Sequence, residues 1–86
     1  YNQERFEEAE YYFNRAAAGL KNEEQLQAHF NHGNALLKQK KFDESIDAYK
    51  KALEIDENDV DVRKNLSYAQ GMKKMEQIFQ NQLFIL

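Results

Sequence analysis

Cysteine and proline are absent from this chain, and glycine occurs only three times. Without cysteine there is neither a disulfide framework nor a thiolate metal site to staple a small core, so stability has to come from packing. Without proline, and with Ala, Leu, Glu, Lys and Gln frequent, intrinsic propensity favours helix almost throughout, and strands are not expected. Charge of one sign is nowhere concentrated. The 12 basic and 15 acidic residues are interspersed and leave a net charge of −3 at pH 7, which makes nucleic acid an unsuitable partner, since phosphate binding needs a concentrated basic surface. Long apolar runs are missing too. None approaches the roughly 20 residues that cross a bilayer, and the N-terminus lacks the basic-then-apolar pattern of a signal peptide, so no membrane insertion is expected of these residues. What remains is enough for one small domain: 86 residues, 42% of them hydrophobic, near the size at which a single core is only marginally sufficient.

Turn signals fall near Gly19 to Glu24, at Lys40–Lys41 and around Asp56 to Asp59. They divide the chain into four expected helices at about 4–20, 24–39, 42–55 and 59–84. Asp43 or a neighbour is expected to open the third helix, and Asn58 or Asp59 to cap the fourth. Each carries apolar residues at helical spacing, as Ile46, Tyr49, Ala52 and Leu53 do in the third. The chain also resembles itself. A shift of 36 residues places Phe6, Ala9, Phe13 and Ala16 on Phe42, Ser45, Tyr49 and Ala52, and a shift of 34 places Asn31, Gly33 and Ala35 on Asn65, Ser67 and Ala69. The two-residue excess of the first shift reads as a longer turn around Asn22 to Glu24.

Those positions carry a family resemblance. His29-x₂-His32-Gly33-x₂-Leu36, then Ser45-x₃-Tyr49 with Ala52 following, resembles the tetratricopeptide-repeat pattern W-x₂-L-G-x₂-Y, A-x₃-F, whose period is about 34 residues. His29, His32 and Glu57 depart from the pattern's large aromatic, leucine and proline. The resemblance implies an all-α fold, an antiparallel helix array of the α-solenoid kind. By this alignment residues 1–22 are the end of an upstream repeat, mainly its second helix; 26–59 are a complete repeat; and 60–86 are the first helix of the next, extended as a long C-terminal helix. The whole then reads as an excised piece of a longer protein. A narrower resemblance lies in Phe30-Asn31-His32-Gly33-Asn34-Ala35-Leu36 with Arg63-x-Asn65-Leu66. These are similar to tetratricopeptide proteins of bacterial aerotolerance (Bat) operons, which implies a membrane-associated parent whose repeats face the periplasm and bind proteins; otherwise a cytoplasmic setting is implied.

No catalytic, metal or cofactor site is expected. His29 and His32 stand three apart on one helix, but no third ligand sits at a matching offset, and both fall at packing positions of the repeat. Asp43–Glu44 and the pair Glu57 and Asp59 lie in turns and caps with no apolar pocket to raise one pKa. Ser45 stands where the repeat has a small alanine and is expected between helices; Ser67 stands where it has glycine; neither has a base beside it.

The interaction surface is expected on the first helix of each pair, which lines the inner groove of such arrays. On the central repeat this selects Gln27, Phe30, Asn31, Asn34, Leu37 and Lys38, and on the following helix Asp61, Lys64, Asn65 and Tyr68. Asparagines there can hold an extended peptide through its backbone, with Phe30 and Tyr68 offering flat apolar contact. A protein or peptide is therefore the expected partner. Asn34 and Asn65 match in placement the two asparagines with which some tetratricopeptide proteins clamp a partner's C-terminal carboxylate. Phe30 replaces the lysine that would precede them, which argues against a charged-carboxylate clamp. Beyond residue 75 the repeat pattern stops: the 34-residue shift puts Glu76 on Phe42 and Phe79 on Ser45, a charge and an overpacked ring where the core should be. Met72, Met75, Phe79, Leu83 and Leu86 instead continue one apolar stripe. This tail is expected to cover the face bearing Phe6, Ala9, Tyr12 and Phe13 on a second chain, giving a homo-oligomer.

Overall fold

A computed structural model describes the backbone of residues 3–85 and the side chains of residues 18–82. The architecture is all-α, with three helices in the order α1 (Gln3–Lys38), α2 (Phe42–Ile55) and α3 (Val60–Ile85). The long C-terminal helix is present as expected. The break at Gly19 to Glu24 is not: the two helices expected at 4–20 and 24–39 are one, 36 residues long. Lone Gly19 costs a helix only about 1 kcal/mol, and Leu20, Lys21, Glu23, Glu24 and Gln25 around it are good helix formers with no proline to end the run. Nothing packs on this stretch to demand a turn, since residues 18–25 are all exposed. The segment 5–20 therefore runs straight into α1 instead of turning back along it, and Asn22 to Glu24 form no loop.

The turn after α1 does form, and without glycine. Lys40 adopts a left-handed conformation with φ 62, while Lys40 N donates to Leu37 O and Lys41 N to Leu36 O, each at 3.0 Å. These paired bonds close the helix end in a Schellman arrangement, and Lys38 in the last turn complements its negative pole. The opening of α2 corrects the expectation for Asp43. Lys41 is the cap residue, no side chain bonds the free N–H groups, and Asp43 and Glu44 lie inside the first turn, where their charge offsets the helix dipole. The second turn is held by side chains in place of the pattern's proline. Asp56 Oδ1 accepts from Asn58 N, Arg63 Nε donates to the Glu57 carbonyl, and Asp59 Oδ1 caps α3 by accepting from Val62 N at 3.0 Å.

α2 packs against both neighbours, so its apolar face wraps round two sides: Phe42, Ser45, Ile46, Ala48, Tyr49 and Ala52 are all buried. With Leu36, Val62 and Ala69 they form the core, and Leu26, Phe30, Leu37, Leu53 and Leu66 pack around it. α2 pairs with α1 over roughly residues 25–38 and with α3 over roughly 60–73, where Lys73 forms an ion pair with Asp43. The N-terminal part of α1 and the C-terminal part of α3 then project from opposite ends of this body, by about 30 and 18 Å at 1.5 Å per residue. The molecule measures 82 × 19 × 14 Å accordingly. Among the described residues no helix is long and apolar enough to cross a membrane.

Candidate interaction groove

The site is organised by the approach of α2 to Gly33. A Cβ placed on Gly33 would lie 2.5 Å from Tyr49 Cε1 and 2.6 Å from its Cδ1, closer than real contacts permit, so only glycine lets the ring lie against the α1 backbone. Ser45 occupies the neighbouring small position, fully buried, and its hydroxyl donates to the Gly33 carbonyl at 2.9 Å. That bond satisfies the hydroxyl of a residue standing where alanine would need none. Tyr49 is itself fully buried, and its ring tilts at 45° against Phe30 with centroids 6.1 Å apart.

The buried ring delivers one polar atom to the surface of α1. Tyr49 Oη donates to Asn34 Oδ1. The same oxygen accepts from Asn65 Nδ2 of α3 at 2.9 Å. These two amides join α1 to α3 directly, although the helices otherwise touch lightly. With Asn34 Oδ1 receiving both donors, Asn34 Nδ2 and Asn65 Oδ1 enter no hydrogen bond among the described residues. The Asn34 amide NH₂ and the Asn65 amide oxygen are a donor group and an acceptor of the kinds that a peptide unit's C=O and N–H require.

The remaining residues selected from sequence fall around this pair. Gln27, Asn31 and Lys38 are exposed on the face of α1 that carries Asn34, and Gln27 Nε2 donates to Asn31 Oδ1 at 3.1 Å. Phe30 and Leu37 are half-buried and pack against the core, so only part of each side chain faces outward. On α3, Asp61, Lys64 and Tyr68 are exposed near half-buried Asn65. Sequence reasoning placed Tyr49 in the repeat pattern and gave it no part in the site. A signal existed, because tyrosine stands where the pattern has phenylalanine, and a buried hydroxyl needs a partner. His29 is half-buried, whereas His32, expected at a packing position, is exposed beside Leu36, Glu44, Asp47, Ala48 and Lys51. No group of three metal-ligating side chains occurs among the described residues.

Of the residues expected at an oligomer contact, Phe6, Tyr12, Phe13, Leu83 and Leu86 lie outside the described side chains. Met75 and Phe79 are exposed and line one depression together with Ile78 and Gln82. Ile78 was passed over in the sequence, although it lies three residues from Met75 on the same face. Met72, at the start of the expected stripe, is half-buried at the edge of the body instead.

Compared with known proteins, residues 26–59 match the family model described as tetratricopeptide repeat. No curated protein and no solved structure matches the chain significantly.

Proposed function

We propose that the chain, whose residues 26–59 match the tetratricopeptide-repeat model, a kind of repeat that in general mediates protein–protein interaction, is a non-enzymatic scaffold binding a partner segment along α1 and α3. The segment lies extended across the seam. Asn34 and Asn65 hold its backbone, Phe30 and Tyr68 give its side chains apolar contact, and Gln27, Asn31, Lys38, Asp61 and Lys64 flank it. The observation that supports this reading is the amide pair itself, bonded helix to helix, with Asn34 Nδ2 and Asn65 Oδ1 making no hydrogen bond among the described residues. A random 12-residue peptide library displayed on phage and selected against the chain supplies the probe. Replacing Asn34 or Asn65 with alanine is expected to weaken the selected peptide by about 1–3 kcal/mol with helicity unchanged. Equal affinity for the double variant would sink the reading.

A second reading is self-assembly through the projecting part of α3. It is favoured by the exposure of Met75, Ile78 and Phe79 and by the lack of any charged residue from Gln77 to Leu86. Its test is sedimentation equilibrium at micromolar concentration with and without Phe79→Ala. A monomer in both cases removes it.

A further inference from the structure

We infer that the groove does not stop at its asparagines but runs on along the projecting part of α3, and that the segment it binds carries large apolar side chains on the stretch that lies there. The inference rests on the groove reading above. The two walls of the seam differ in length. α1 and α3 run in the same direction, each antiparallel to α2, and Asn34 bonds Asn65 four residues before α1 ends at Lys38. α1 therefore ends about level with Ala69, whereas α3 continues to Ile85. A segment leaving the seam toward that end has α3 alone to lie on.

What it meets there is apolar. At 3.6 residues per turn, Tyr68, Met75 and Phe79 fall within about 20° of one line along α3, and they are 59, 65 and 62% exposed. Tyr68 belongs to the groove, so the line begins inside it. Met75 and Phe79 line one depression with Ile78 and Gln82, and the charges of Lys73, Lys74 and Glu76 are turned about 80° or more away from the line. The seam itself is flanked by charge, at exposed Lys38, Asp61 and Lys64. One surface thus joins a polar stretch to an apolar one. About 21 Å of helix separates Asn65 from Phe79, which about six residues of extended chain would span. The exposed parts of Tyr68, Met75, Ile78 and Phe79 amount to roughly 450 Å², the scale of the apolar patches that mark binding sites on single chains. Two copies laid face to face on these side chains would bury about twice that, less than the about 1,200 Å² at which specific interfaces between proteins begin. For a segment already held in the seam the patch is sufficient.

The 12-residue peptide selected above is long enough, about 40 Å when extended, to reach both parts. Phe79→Ala is expected to weaken its binding about fivefold or more, and Gln77→Ala, an exposed change on the opposite side of the helix, should leave it unaltered. Replacing the peptide's own large apolar residues with alanine should remove the sensitivity to Phe79→Ala, the coupling expected of groups in contact. Selected peptides without such residues overturn the inference. Unaltered affinity in Phe79→Ala, while Asn34→Ala or Asn65→Ala weakens the peptide, also overturns it and leaves the groove reading standing. So does an equal loss in Gln77→Ala. Sedimentation equilibrium without peptide tests the other occupant: a dimer that Phe79→Ala converts to monomer puts a second copy on this face and overturns the inference as well. If neither asparagine matters, or selection yields no binder, the groove reading falls and this inference with it.

Discussion

The two halves of α1 belong to one helix and behave as different materials. From Leu26 to Leu37 the residues that face α2 are buried or half-buried, Leu26, Phe30, Gly33, Leu36 and Leu37 among them, whereas residues 18–25 are exposed without exception. α3 repeats the contrast in reverse: Val62 and Ala69 are fully buried in its first half, and residues 74–82 are all exposed in its second. Helix formation and tertiary burial are thus separate matters here. Propensity carries the helix wherever nothing stops it, but among the described side chains the buried ones lie on α2 or alongside it. Helical segments shorter than about 12–15 residues are marginal in water without a packed face, so the exposed stretches 18–25 and 74–82 take their helical order from the helices they continue.

The largest test of this contrast sets Phe42 against Phe79, 7% and 62% exposed. Phe42→Ala is expected to cost about 3–5 kcal/mol, enough to remove most of the cooperative unfolding transition of so small a domain. Phe79→Ala should leave the monomer within about 0.5 kcal/mol of the parent in urea denaturation. The glycines give a sharper version, because one substitution should change sign with its place. Gly33→Ala forces a methyl group into the Tyr49 ring and should lose about 1–3 kcal/mol, while a Cβ at Gly71 meets nothing within 4 Å and Gly71→Ala should gain about 0.5–1 kcal/mol. Equal effects at the two sites would mean that the body is not packed as described.

Much of this was legible in the sequence, and what was not has definite physical causes. Gly33, Ser45 and Tyr49 could be placed in their repeat because spacing along a helix fixes which residues meet its neighbour. Asp59 could be named among the caps because few side chains perform that task. The break near Gly19 was misread because a turn needs a packing partner to favour it as much as a residue that permits it, and partners are not written locally. Lys41 as cap residue and Lys40 in a left-handed conformation carried no signal, since lysine is a usual choice for neither. The groove asparagines were visible one by one. Their bond to each other spans 31 positions of sequence, and only the approach of both helices to α2 makes it.

Smaller effects refine the boundary of the body. Lys40→Gly should raise stability by about 1 kcal/mol by relieving the left-handed backbone of a residue with a Cβ, measured as a shift of the urea midpoint with unchanged slope. At the other edge, Lys73→Met removes the ion pair to Asp43 between half-exposed and exposed side chains. It should cost no more than about 1 kcal/mol, and the difference should shrink as salt is added. A larger loss would extend the packed body further along α3 than described.

The opposite projections of α1 and α3 also govern how the molecule moves through solution. A compact chain of this length would have a radius of gyration of about 12 Å, and this one has 20.0 Å. A single molecule will therefore diffuse slowly and leave a sizing column early, imitating a larger globular particle. Elution volume alone would report a dimer where there is one chain, and scattering intensity or equilibrium sedimentation, which weigh mass independently of friction, are the measurements that count copies.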